Sequence, residues 1–177
     1  EIPRMVDEDD KFRKFRFRND NDKSFTKIFV KQGSRDMMNE AFRVLRTNVD
    51  LMIDKSSPSH VIMLTSFNPN AGKTFTIMNM AASMSLKGAK VLLVDLDLRK
   101  ATLSKALSVN HTGVAAYLNG KTEDYHEHIE ALDNGLSILP VGSLPPNPAE
   151  LLLTDRFRNM IAELRKQYDY IFLDCPP

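Results

Sequence analysis

Four short apolar runs divide this chain: "HVIMLTS" (60–66), "KVLLVDLD" (90–97), "LSILPVG" (136–142) and "DYIFLDCPP" (169–177). Each is apolar along most of its length rather than at alternate residues, as a strand buried on both faces requires. The stretches between them carry helical patterning. Buried strands alternating with helices predict an α/β fold, a mostly parallel central sheet with helices on both faces. In such a sheet the strands end together at one edge, and ligands bind there.

The helical segments follow from spacing and punctuation. From Arg35 to Asp54 the apolar residues Met38, Ala41, Phe42, Leu45, Val49 and Met52 recur every three or four positions, predicting a helix with one buried stripe and Ser34 as its N-cap. "TIMNMAASMSLKG" (76–88) predicts a helix that Gly88 ends. "ATLSKAL" (101–107) and "GVAAYLNG" (113–120) read as short helical pieces, and 145–168 as one or two helices starting after prolines. Residues 1–33 carry no clean period and read as a linker or juxtamembrane segment with at most one edge strand, leaving 34–177 as the folded domain. The whole, 177 residues, suits one such domain.

Composition narrows the classes further. A single cysteine, Cys175, excludes an internal disulfide and suits a reducing compartment. The net charge of +1 hides the basic run "KFRKFRFR" (11–18), which follows "DEDD". Such runs mark a solvated face more often than a nucleic-acid site, so no nucleic-acid partner is expected. No apolar run approaches the roughly 18 residues of a membrane span and no signal peptide opens the chain, which therefore reads as a soluble piece.

The chemistry gathers at the strand ends. "SFNPNAGKTF" (66–75) follows the first strand and opens a helix, and its Gly72, Lys73 and Thr74 match the end of the phosphate-loop pattern G-x-x-x-x-G-K-[ST]. Phe67 stands where the first glycine would be, while Asn70 can supply the left-handed turn that glycine often supplies. Backbone amides, an ammonium and a hydroxyl at a helix N-terminus suit a nucleotide phosphate and its magnesium. The candidate contacts are Asn68, Asn70, Ala71, Gly72, Lys73, Thr74 and Phe75. The second strand ends "VDLDLRK", putting Asp95, Asp97 and Arg99 at alternating positions of an extended chain. Two carboxylates there could hold hydrated magnesium or accept a proton, and Arg99 could offset their charge. The last strand places Asp174 where phosphate-loop enzymes keep a carboxylate that orients magnesium through water. Lys73, Asp95, Asp97 and Arg99 are thus the candidate catalytic groups, and Thr74, Asp95, Asp97 and Asp174 the candidate magnesium set.

These motifs, "TSFNPNAGKT", "LLVDLDLRK" and "IFLDCPP", resemble those of the bacterial tyrosine kinases, specifically the cytoplasmic domain of membrane-anchored polysaccharide co-polymerases. The resemblance extends over nearly everything from Met37 onward, including "EAFRVLRTN" and "GSLPPNPAELL". It implies a P-loop NTPase-like fold, ATP and Mg2+ as ligands, and transfer of a phosphoryl group to tyrosines of the protein's own C-terminal tail. Asp97 would accept the phenolic proton and Asp95 and Asp174 place the metal, although Asp95 and Asp97 could exchange roles. "EAFRVLR" fits the family signature E-x-x-R-x-x-R through Glu40, Arg43 and Arg46, which implies a contact between subunits of a homo-oligomeric ring in which one chain's tail reaches its neighbour's site. The same resemblance implies polysaccharide export machinery and a tyrosine phosphatase as partners, and a place on the cytoplasmic face of the bacterial inner membrane. "EIPRM" resembles the segment following the membrane helix of the fused proteins.

Departures are visible too. Many family loops carry Gly-Glu where this chain has Asn70 and Ala71. The domain is expected to be truncated at Pro177, after the Walker B-like third motif, leaving out the family's later strands and its tyrosine cluster. Tyr168 and Tyr170 read as packed, Tyr117 and Tyr125 carry no substrate mark, and His126 and His128 read as surface. Two alternatives stand beside the kinase. A partition or septum-type ATPase switch would carry a lysine where Asn68 stands, and a non-catalytic scaffold would keep the fold and nucleotide alone.

Overall fold

The computed structural model describes residues 28–68 and 71–176. The basic run, most of the N-terminal linker, Asn70 and Pro177 lie outside the described residues. In chain order the elements are α1 (Met37–Met52), β1 (His60–Leu64), α2 (Lys73–Ser85), β2 (Val91–Asp95), α3 (Thr102–Ala106), α4 (Val114–Leu118), β3 (Glu130–Ala131), β4 (Leu136–Leu139), α5 (Pro148–Leu151), α6 (Asp155–Leu164) and β5 (Tyr170–Asp174). Two short 3-10 turns, at His126–His128 and Asp133–Gly135, flank β3.

The sheet order is β1-β5-β2-β4-β3. All neighbours are parallel except β3, which pairs antiparallel to β4. The last strand of the sequence therefore lies between the first two. Its register pairs Asp174 with Leu64 of β1 on one side and with Asp95 of β2 on the other. The phosphate loop and both acidic strand ends consequently meet at one edge.

Alternation sorts the strand residues onto two apolar faces. Leu93, Ile138 and Phe172 pack with Phe42 of α1 and with Phe75, Ile77 and Met78 of α2. Leu92, Val94, Leu139 and Ile171 pack instead with Val114 of α4 and with Met160 and Leu164 of α6. Each fully buried side chain of this size contributes about 1.5–3 kcal/mol. The exposed Arg43–Glu40, Arg158–Asp155 and Lys166–Glu163 pairs are worth at most about 1 kcal/mol each. Burial therefore dominates the fold.

Four expectations need correction. The N-cap of α1 is Asp36, whose carboxylate accepts from the Asn39 N–H at 2.9 Å; Ser34 instead donates its hydroxyl to Asp36. Met52 lies at the last turn of α1, beyond the packed layer, and is 84% exposed. The strand β1 is covered on one face only among the described residues, with Ile62 and Leu64 packed inward but Val61 and Met63 38% and 60% exposed. Its apolar sequence concealed an edge position. The helix α2 begins at Lys73 rather than Thr76, which brings the Lys-Thr pair into its first turn.

The segment before α1 is bound by side-chain amides rather than by a sheet. Asn79 of α2 is fully buried, and its Oδ1 accepts from the N–H groups of Phe29 (2.6 Å) and Val30 (3.2 Å). Its Nδ2 donates to Phe75 O at 2.9 Å, while Asn39 Oδ1 accepts from Lys31 N–H at 2.7 Å. The Phe29 and Phe42 rings both pack on Phe75, at 5.7 and 5.9 Å between centroids. Replacing Asn79 by Ala removes the side-chain acceptor that the Phe29 and Val30 N–H groups share, one of them buried, at about 1–3 kcal/mol. Urea unfolding of Asn79→Ala should therefore show a loss of about 2 kcal/mol, with faster amide exchange at residues 29–31. Unchanged exchange there would contradict this account of the segment.

Candidate functional site

Gly72 is the N-cap of α2 at φ 85°, a left-handed conformation that a side chain would strain, so glycine is required here for its backbone. The turn aims the first N–H groups of a 13-residue helix at the mouth of the loop, where an anion is favoured. Lys73 Nζ reaches back across the loop and donates to Ser66 Oγ at 3.0 Å, and Ser66 Oγ donates in turn to Asn68 O at 2.7 Å. The ammonium is thereby held over the loop. Phe67, in place of the first glycine, is fully exposed. Phe75 differs from the other predicted contacts, because its ring is buried against Phe29 and Phe42 and leaves only its backbone for a ligand.

The three carboxylates differ in what holds them. Thr74 Oγ1 donates to Asp174 Oδ2 at 2.8 Å, joining the phosphate loop to the end of β5. Asp97 accepts from Lys100 N–H at 3.2 Å on one oxygen and from Thr102 Oγ1 at 3.1 Å on the other, and keeps 8% exposure. Asp95 is fully buried: its Oδ2 accepts from Ser104 N–H (2.7 Å) and Ser104 Oγ (2.6 Å), and its Oδ1 from Asp97 N–H (3.1 Å). Asp97 thus has unused lone pairs near solvent, while Asp95 faces protein on both oxygens. Arg99 is exposed in the turn between them and α3.

Electrostatics follow from this crowding. Burial pushes the Asp95 carboxyl up to about 7, opposed by its bonds from Ser104 and reinforced by the charge of Asp174. Burial likewise raises Asp174 to about 6, opposed by the Thr74 hydroxyl and reinforced by Asp97. Burial raises the Cys175 thiol to about 11, which favours the thiol over the thiolate at neutral pH. The donor set of Thr74, Asp97 and Asp174 consists of hard oxygens only, without thiolate or imidazole, which fits a hydrated magnesium ion. No cluster of three His, Cys, Asp or Glu residues could chelate a metal directly among the described residues, and magnesium, which keeps several of its waters, needs none.

Of the predicted assembly residues, Glu40 and Arg43 are exposed and paired to each other at 2.6 Å. Arg46 behaves differently. Its Nη1 donates to Ser83 O (2.8 Å) and Ser83 Oγ (3.0 Å), fastening α1 to α2. The sequence reading overlooked Ser104 and Thr102, since a serine or threonine in a short helix carries no motif. The available clue was Ala101, which cannot cap α3 with its own side chain.

A phosphate-binding turn at a helix N-terminus, with acidic strand ends beside it on a parallel sheet, defines a P-loop nucleotide-binding domain. A family described as AAA domain matches residues 59–177. The tyrosine-protein kinase Wzc of Salmonella typhimurium is 36% identical over 143 residues, covering 80% of this chain but 20% of that protein. The structure of the kinase domain of the Escherichia coli tyrosine kinase ETK matches with a TM-score of 0.77 at 31% identity, over 94% of this chain and 64% of that one. The septum site-determining protein MinD from Pyrococcus horikoshii, complexed with Mg-ADP, matches with a TM-score of 0.58 at 28% identity, over 67% of this chain and 49% of that one. The chain belongs to the AAA-domain family and, within it, to the bacterial tyrosine kinases. It spans about a fifth of the length of Wzc.

In metal-free solution Asp174 keeps its proton in the folded state, up to about 6, after the unfolded chain has released it near 4. The folded state then binds more protons, so stability falls as pH rises through that window and levels off above it. Asp174→Asn lacks this loss. Thermal unfolding in EDTA should show the variant gaining on the wild type by on the order of 5 °C between about pH 4 and pH 8. Parallel pH profiles would refute the buried charge.

Proposed function

We propose that this chain is the nucleotide-binding part of an ATP-dependent protein-tyrosine autokinase that regulates capsular or extracellular polysaccharide biosynthesis and export. The observation that carries this reading is the meeting of Lys73, Thr74, Asp97 and Asp174 at one sheet edge, imposed by the pairing of β5 between β1 and β2.

Phosphoryl transfer asks a protein chiefly for positioning and charge neutralisation. The α2 N-terminus and Lys73 bind the phosphates, Arg99 offsets their charge, and Asp97 accepts the proton of the attacking phenol. Asp97 suits the last task better than Asp95, being the carboxylate with exposure and free lone pairs. Magnesium, when bound, would neutralise the phosphate oxygens, with Thr74, Asp97 and Asp174 as the residues to hold it and Asp95 behind them. The acceptor is a tyrosine of the protein's own C-terminal tail, presented by a neighbouring subunit of a ring in which Glu40 and Arg43 contribute to the contact. Arg46 serves that contact indirectly, by holding α1 on α2. Residues 1–33 serve as the juxtamembrane segment and 34–177 as the domain, at the cytoplasmic face of the inner membrane, with the export machinery and a tyrosine phosphatase as partners. The helices among the described residues are neither long nor apolar enough to cross a membrane, so an anchor would lie elsewhere.

The septum-type ATPase switch is the competing reading. It is disfavoured by Asn68 in place of the lysine such loops carry, and by Arg99. Incubating the complete cytoplasmic domain with ATP and mapping phosphosites by mass spectrometry separates them. Phosphotyrosine is expected, abolished by Lys73→Met and reduced at least about 100-fold by Asp97→Asn. Phosphate released to water without phosphotyrosine would support the switch instead. For assembly, Arg43→Ala should move the intact protein toward smaller species in analytical ultracentrifugation, because an exposed pair contributes register across an interface. An unchanged distribution would return Arg43 to the solvated surface.

A further inference from the structure

The short helix α3 follows the acidic strand end, and its Ser104 links the end of β2 to the segment after β4. The residue is 3% exposed. Its N–H and its Oγ both donate to Asp95 Oδ2, at 2.7 and 2.6 Å. The same Oγ accepts from the N–H of Val141 at 3.0 Å, 37 residues further along the chain at the exit of β4. Val141 cannot drift to accommodate this bond. Its neighbour Pro140 O accepts from Val114 N–H at 2.8 Å, Val141 O accepts from Ala115 N–H at 3.1 Å, and Gly113 approaches Pro140 so closely that a Cβ there would lie 2.0 Å from the carbonyl oxygen.

We propose that Ser104 is a positioning residue of the nucleotide site, fixing the rotation of the Asp95 carboxylate by tying it to the exit of β4. This rests on the nucleotide-site reading above. A simple helix cap would need only the Ser104 N–H on Asp95. The hydroxyl goes further, doubling the donors on one carboxylate oxygen while its lone pair is held by a fixed backbone amide. With Oδ2 pinned inward, Oδ1 is left toward the 95–97 turn, where it accepts from the Asp97 N–H. Ser104 therefore acts on Asp97, and through it on the cation-binding edge, without touching a ligand. Partners of this kind behind a metal site typically carry about 10-fold or more of its affinity.

The test compares binding of a fluorescent ADP analogue to the whole chain in magnesium and in EDTA. The wild type should bind more tightly in magnesium. Ser104→Ala should cut that magnesium-dependent gain about 10-fold while leaving affinity in EDTA unchanged, and Ser104→Thr, which keeps the hydroxyl, should restore most of it. In an Asp95→Asn background Ser104→Ala should have little further effect on the gain, because the group it positions is already altered. Should the alanine variant unfold, Ser104→Cys keeps the shape, replaces the hydroxyl by a weak donor and should reproduce the loss. Equal weakening in magnesium and in EDTA, or a full gain retained by both the alanine and cysteine variants, would overturn the role of Ser104 alone. A wild type without any magnesium-dependent gain would overturn the nucleotide-site reading on which it depends.

Discussion

Everything at the functional edge depends on where β5 pairs. Were the last strand added outside β2, Asp174 would end far from the phosphate loop. Insertion between β1 and β2 instead sets Leu64, Asp174 and Asp95 in one row. The hydrogen bonds of that pairing are individually modest, at about 1 kcal/mol each. What selects this register over a slip of one residue is burial. Ile171 and Phe172 face opposite apolar layers, and a slip would exchange Asp174 with a core position. The core thus places the acids, and the acids do not place themselves.

That placement works against stability. Asp95, Asp97 and Asp174 are all largely withdrawn from water; the charge of Asp174 reaches Asp95 and that of Asp97 reaches Asp174, and burial disfavours the ionised forms of Asp95 and Asp174. The structure offsets this with donors: Thr74, Ser104, Lys100 and Thr102 each supply hydrogen bonds to a carboxylate. The compensation is incomplete, as the raised carboxyls show. A concentration of negative charge left partly unneutralised beside a phosphate loop is suited to a cationic partner.

The layered fold and the strand-end acids were legible in the sequence because continuous apolar runs and the Gly-Lys-Thr turn report directly on burial and backbone conformation. The strand order was not, since the runs at 60–66 and 169–177 look equally buried although one is an edge and the other central. Asn79 and Ser104 were invisible for a related reason. Each is a small polar residue inside an apolar stretch, and its meaning lies in partners 49 and 37 residues away. The two-residue strand β3 has no apolar pattern to announce it. The family signature marks Glu40, Arg43 and Arg46 as a set, but it could not tell that the third turns inward onto Ser83.

The attachment of residues 29–31 to α1 and α2 sets its own rule for sequence change. The two asparagines read the main chain, accepting from three consecutive N–H groups, so most side chains could occupy those positions without loss of the hydrogen bonds. Proline alone is barred from all three, having no N–H to give. Drift in this segment is therefore free in chemistry wherever packing allows and strict in backbone. Related chains could differ widely here in composition while every one of them avoids a single residue type.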